Sequence, residues 1–447
     1  MGAFRPPPLL SDRAQWALCL LPTPRMTLRT LAAACGLALL AQFAATPAAL
    51  AADAPTRWVA TWATALQSIP QQANLPPLYR APEVAGRTVR QIVYPTLSGG
   101  TVRIHLSNEY GKTPLVIQEL RIARSAGGAA AQAKGGAKVT FGGKDSVVVP
   151  PGGELDSDAL AFDIVAGAPY AISSYMAADQ RLAAWHRVSN QVNYVSLPGN
   201  HADDAMAGAF SQRFTQFAWV TGLSVETPSG VAVAAIGDSI TDGMRSSLNE
   251  NRRWPDAFAR RVARSGDRST AVVNLGISGN RLLSDSPCYG EALDKRFGRD
   301  VLERPGVKMA ILLIGINDIN FSSMPPRSGL DCDYPHTTVS AGDLIAGYKR
   351  VIAEAHRHGV RVFGATLTPA ALPPQRESIR LAVNQWIRTA GAFDGVVDFD
   401  AALRDPARPE RLQRGYDSGD HIHPSDAGYA AMADAIPLDA VVNSTRK

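Results

Sequence analysis

Between Val231 and Gly243 the chain reads VAVAAIGDSITDG, six small or branched apolar residues running straight into Gly237-Asp238-Ser239. A short unbroken apolar run closed by glycine predicts a strand buried on both faces, as in a parallel sheet covered by helices. Gly237, with no Cβ to clash, lets the chain turn where that strand stops. From residue 229 onward such runs alternate with helical patterns. Residues 254–265 place Phe258, Ala259, Val262 and Ala263 on one helical face. Strands are expected at 271–275, 307–314, 360–367 and, last of the set, 395–399. Helices are expected at 341–358 and 375–390, and at 425–436 to close the chain. Gly359 ends the helix before it. This order implies a parallel sheet between helices.

Upstream, between 57 and 225, the period is two. In 101–106, Val102, Ile104 and Leu106 alternate with Arg103 and His105, the pattern of a half-buried strand. Similar segments lie at 115–123, 138–141, 146–149, 159–164 and 170–176, and no long amphipathic helix interrupts them. The small-residue tract 126–136 has no pattern and is expected to be a mobile loop. Trp58 and Trp62 could pack against either region. The expected architecture is an antiparallel β-sandwich, jelly-roll-like, over 52–228, followed by an α/β domain over 229–447.

With 447 residues, two domains are the natural expectation, and 46% hydrophobic with 19% charged residues describes a globular chain. The net charge of +5 changes little once its location is read. Residues 1–51 carry Arg5, Arg13, Arg25 and Arg29 against Asp12 alone, which leaves about +2 on the rest. That is no footprint for nucleic acid. From Met26 a short basic start with Arg29, an apolar stretch 31–45 and the small-residue site Ala49-Leu50-Ala51 read as a signal peptide. Cleavage near Ala51 would make the mature chain secreted or periplasmic, with Met26 as the true start. The stretch is too short for a stable membrane span.

Three further turns carry polar residues at strand ends: Asn274-Leu-Gly-Ile-Ser-Gly279-Asn280, Gly315-Ile-Asn317-Asp318 and Asp420-His-Ile-His423-Pro424. Acyl transfer needs a nucleophile, a base, a group to orient the base, and donors for the developing oxyanion. Ser239 can serve as nucleophile and His423 as base, with Asp420 close enough on one turn to hold the imidazole tautomer. The amides of Ser239 and Gly279 and the side chain of Asn317 supply three donors.

These four blocks, GDSITDG, NLGISGN, IGIND and DHIHP, resemble those of the GDSL-type, or SGNH, hydrolases, named for their Ser, Gly, Asn and His. On that resemblance the four are Ser239, Gly279, Asn317 and His423, and it covers 231–436. It implies a flavodoxin-like three-layer α/β/α fold and esterase, lipase, thioesterase or carbohydrate deacetylase activity. Residues 57 to about 226, with WVATWATA and HLSNEYG, also resemble the β-rich module preceding this domain in a secreted bacterial subgroup. The serine of α/β-hydrolases sits in G-x-S-x-G, whereas here GDSIT surrounds it.

Simpler roles compete for several of these residues. Asn317 and Asp318 could merely cap a turn. Asp420, His421 and His423, with Asp417 and Asp426 nearby, could ligate a metal. Zinc takes ligands from separate elements, and no cysteine or further histidine accompanies them, so no metal is expected. Asp238 and Asp318 are expected to brace their loops, His356 and His358 to serve a helix C-terminus, and Trp254 to be core packing or a wall of the acyl site. Cys288 and Cys332, the only cysteines beyond the leader, are expected to form a disulfide in an exported chain. The expected function is a cofactor-free serine esterase acting on a small-molecule or glycan ester. The alternatives are a polysaccharide O-deacetylase and a non-catalytic carbohydrate-binding protein.

Overall fold

The computed structural model describes residues 56–72 and 74–445, so the expected leader and its cleavage site lie outside the described residues. The first region is β-rich and built on two antiparallel sheets. In the strand Gly99–Ser107, Val102, Ile104 and Leu106 are fully buried while Arg103 and His105 are half-buried, so the period-two pattern reports a real inward face. That strand pairs with Val220–Thr227, which pairs in turn with Arg57–Ala63. At the centre of the second sheet, Tyr170–Met176 lies between Arg87–Val93 and Leu115–Gly127. Buried residues of both sheets share one apolar cluster with the strands of the second region. The tract at 126–136 differs from expectation. Ala130–Ala131 folds back on the strand before it, and Arg90 donates to the Ala129 carbonyl at 2.6 Å, which pins the tract to the sheet. Trp58 stacks under Arg103 and Trp62 lies edge-on to Phe217, both within the β-rich region.

The second region carries a five-stranded parallel sheet in the order Thr270–Asn274, Val231–Gly237, Val307–Leu313, Arg361–Ala365, Gly395–Val397. Every residue of Val231–Gly237 is buried, as its unbroken apolar run requires. The strand order reverses at Val231–Gly237, with Thr270–Asn274 added on one side and Val307–Leu313 on the other, and the carboxyl ends at such a switch point are where open α/β sheets place ligands. Three C-terminal expectations change. Phe399 begins a helix, Phe399–Leu403, because the Asp398 side chain caps it by accepting from Ala401 N. A small hairpin of Arg404–Asp405 and Arg408–Leu412 follows, and a further helix, Leu438–Thr445, comes after Asp426–Ala435.

The two regions are tightly joined. Ala60 N donates to Pro305 O at 2.8 Å, and the Thr96 hydroxyl exchanges hydrogen bonds with the backbone of Val272 on the edge strand of the parallel sheet. Among the described residues no helix is long and apolar enough to cross a membrane.

Candidate active site

Ser239 is the first residue of the helix Ser239–Asp242, directly after the Val231–Gly237 strand. Asp238 caps that helix, its Oδ1 accepting from Ile240 N at 3.0 Å. Gly237 is needed for closeness rather than for the turn. Its φ is not positive, but a Cβ there would collide with the Leu313 carbonyl and the Thr241 hydroxyl.

His423 comes from the turn before the helix Asp426–Ala435. Its Nε2 lies 2.8 Å from Ser239 Oγ, and its Nδ1 lies 2.8 Å from Asp420 Oδ2. A carboxylate at Nδ1 keeps the proton there and leaves Nε2 free to accept from the serine hydroxyl. Asp420 Oδ1 accepts the backbone N–H groups of Ile422 at 3.1 Å and His423 at 2.8 Å, so the carboxylate is fixed from both sides. Burial pushes the Asp420 carboxyl up, but hydrogen bonds from the His423 ring and backbone outweigh it and hold it well below the usual carboxylate range. Arg245 Nε lies 3.1 Å from Asp420 Oδ2, on a largely exposed side chain that adds little. His421 is engaged separately, its Nδ1 lying 2.6 Å from Asp417 Oδ2. Among the described residues no cluster of three or more His, Cys, Asp or Glu could hold a metal ion.

Gly279 has φ +84°, and a Cβ there would run into the Tyr289 ring, so both conformation and space require glycine. Neither the Ser239 nor the Gly279 N–H has a hydrogen-bond partner among the described residues. Asn317 sits in the helix Ile316–Phe321, at the carboxyl end of Val307–Leu313. One N–H of its side-chain amide donates to Asn280 O at 3.0 Å, which leaves the second for another acceptor. Asp318 accepts from Leu282 N at 2.8 Å and Leu283 N at 3.0 Å and so braces the segment after Gly279. Burial pushes the Asp318 carboxyl up to about 6. Burial, with the neighbouring Asp318 and Asp242 charges, pushes Asp238 up to about 7. Trp254 is fully buried against Phe399, ring centroids 5.4 Å apart, which makes it core and not a wall of a cleft. Cys288 and Cys332 are joined in a disulfide, Cα atoms 5.1 Å apart, and Tyr289, whose ring covers Gly279, is the next residue. His356 pairs with Asp394 at 2.8 Å, while His358 caps its helix.

Sequence reasoning missed the groups that tie these turns together. Arg296 is fully buried and donates to Gly237 O, Leu275 O and Asn280 Oδ1, each at 3.0 Å, with Asp300 as its counter-ion at 2.9 Å. Asp242 accepts from Ser278 N at 2.9 Å and Ser278 Oγ at 2.6 Å. Asp242 belongs to GDSITDG and could have been singled out; nothing local marks Arg296.

Residues 235–431 match the model of the GDSL-like lipase/acylhydrolase family. No curated protein sequence matches the chain. Among solved structures it is similar to a GDSL-like lipase from Bacteroides thetaiotaomicron (18% identity, 47% of this chain and 88% of that one, TM-score 0.33). It is similar also to a carbohydrate acetylesterase from Sinorhizobium meliloti (14% identity, 48% and 99%, TM-score 0.37). A third is a catalytic mutant of an acetylxylan esterase from Geobacillus stearothermophilus (20% identity, 48% and 94%, TM-score 0.35).

Proposed function

We propose that this chain, whose residues 235–431 form a GDSL-like lipase/acylhydrolase domain, hydrolyses carboxylic esters with Ser239, His423 and Asp420 as its triad. The observation that carries the reading is the hydrogen-bonded series from Ser239 Oγ through the His423 ring to Asp420, 2.8 Å at each step. Ser239 Oγ attacks the ester carbonyl as its proton passes to His423 Nε2. Asp420 holds the ring and stabilises the imidazolium that forms. The oxyanion is received by the Ser239 and Gly279 N–H groups and the second N–H of the Asn317 amide, donors fixed before the reaction begins. Collapse expels the alcohol, which takes the proton from His423. Water, deprotonated by the same imidazole, then attacks the acyl-serine, and a second collapse releases the acid and returns the proton to Ser239. These steps need no cofactor.

The substrate is a small-molecule or glycan ester, and O-deacetylation of a polysaccharide would be the same acyl transfer with a sugar as leaving alcohol. We read the β-rich region as a sandwich of jelly-roll type, supported by two antiparallel sheets that share one core. An exported location, secreted or periplasmic, is supported by the leader-like sequence over 26–51 and by the disulfide. The test is a panel of p-nitrophenyl esters and acetylated sugars against residues 52–447, with Ser239→Ala as control. Turnover of one class that disappears in Ser239→Ala is expected, and near wild-type turnover in that variant would sink the serine mechanism.

A further inference from the structure

His186 belongs to the β-rich region, yet its ring reaches the turn that begins at Ser239. Its Nε2 lies 2.9 Å from Asp242 Oδ1, and both side chains are almost fully buried, 4% and 2% exposed. Its Nδ1 lies 3.0 Å from Ala65 O, and Nε2 also lies 3.1 Å from Val188 O. The partner of Nδ1 is a carbonyl, which can only accept, so the ring donates from Nδ1, and a hydrogen bond joins Nε2 to Asp242 Oδ1. The placement is rigid. His186 exchanges backbone hydrogen bonds with Phe217 at 2.9 and 3.1 Å, and the adjoining Trp185 is fully buried.

The far side of the Asp242 carboxyl determines what this contact does. Oδ2 takes both the backbone N–H and the hydroxyl of Ser278, the residue before Gly279. The peptide between Ser278 and Gly279 carries the Gly279 N–H, so fixing Ser278 fixes the direction in which that donor points. Asp242 is itself anchored three residues after the nucleophile, its N–H donating to Asp238 O at 2.9 Å. A Cβ at Gly276 would collide with the Asp242 backbone, which shows how closely the two turns pass. Asn190 Nδ2 donates to Gly243 O at 2.6 Å, so the strap that carries His186 holds the serine turn at a second point.

We propose that His186 is a positioning residue for ester hydrolysis, supplied by the β-rich region and acting through Asp242 to aim the Gly279 N–H at the oxyanion. The inference rests on the proposed roles of Ser239 and Gly279. It makes the β-rich region a part of the active site.

The test compares His186→Ala, His186→Gln and Ser278→Ala with wild type on one p-nitrophenyl ester, reading kcat and KM separately and checking folding by circular dichroism and melting temperature. A misdirected oxyanion donor acts in the transition state, so His186→Ala should lower kcat by about 10- to 100-fold with KM little changed. His186→Gln restores a donor toward Asp242 and should recover part of that loss. Ser278→Ala removes only the hydroxyl and should lower kcat less than His186→Ala. A folded His186→Ala protein with a lower melting temperature and unchanged kcat, or with a change in KM alone, would overturn the proposal by making the contact merely structural. If His186→Ala does not fold, Ser278→Ala and His186→Gln decide: wild-type kcat in both overturns it. Ser239→Ala is assayed alongside, because turnover there would end the esterase reading itself whatever His186 does.

Discussion

At the scale of single residues, Ser239 and His423 act as one unit in the proposed mechanism. His423→Ala should cost nearly as much turnover as Ser239→Ala, and the double variant little more than either; stopped-rate assays of the three proteins check this, with additive losses as the contrary result. Asn317 has a separable role. With one amide N–H held by Asn280 O, the other is proposed for the oxyanion, so Asn317→Ala should lower kcat by about 10²–10³ with a modest change in KM. A rise in KM at constant kcat would make Asn317 a binding or capping residue instead. Asp238 yields a stability prediction. Its carboxyl is pushed up to about 7 from 3.8 by burial and by the nearby Asp318 and Asp242. Between those values the folded state holds a proton that the unfolded state has released, so this group's contribution to stability falls as pH rises from about 4 to about 7. Asp238→Asn keeps an oxygen to cap the helix and removes the titration. Its stability relative to wild type, from denaturant unfolding at several pH values, should increase across that window; a flat difference would mean the carboxyl is ionised throughout.

At the scale of elements, the disulfide ties the segment after Gly279 to the one after Asn317, since Cys288 and Cys332 are 44 residues apart. Cross-linking a loop of that length contributes about 4 kcal/mol in the chain-entropy account. Reduction should therefore lower the melting temperature, and kcat should fall with it as the loops loosen; unchanged kcat after verified reduction would separate the bridge from the site. How much of these elements the sequence discloses depends on how local their causes are. The strand Val231–Gly237 and the helix Ala341–Arg357 are legible because one periodicity decides each. Arg57–Ala63 is not, because five successive buried residues erase the alternation that would mark a strand. Phe399 reads as strand by hydrophobicity, but the side chain of Asp398 starts a helix there. The blocks around Ser239, Gly279, Asn317 and His423 stand out because each needs special residues at close spacing. Arg296 and His186 stay hidden because their partners are distant in sequence: Asp242 is 56 residues from His186, and Gly237 is 59 from Arg296.

At the scale of the whole molecule, the β-rich region and the parallel sheet share one apolar core, with Val59, Val225, Val233 and Val272 in the same cluster. Cutting the chain at about Ser229 would strip the strand Arg57–Ala63 from that core and remove His186 from Asp242. Residues 229–447 expressed alone should aggregate or melt well below the full chain, and any soluble fraction should show reduced kcat on every ester; unchanged kinetics and stability would reduce the first region to a passenger. The central claim, that Ser239 is the nucleophile of an acyl-enzyme mechanism, is tested most directly by labelling the chain with a fluorophosphonate and locating the adduct by peptide mass spectrometry. One adduct per chain is expected, on the peptide containing Ser239, formed in parallel with loss of esterase activity and absent from Ser239→Ala. An adduct on another residue, or esterase activity that survives complete labelling of Ser239, would contradict the claim.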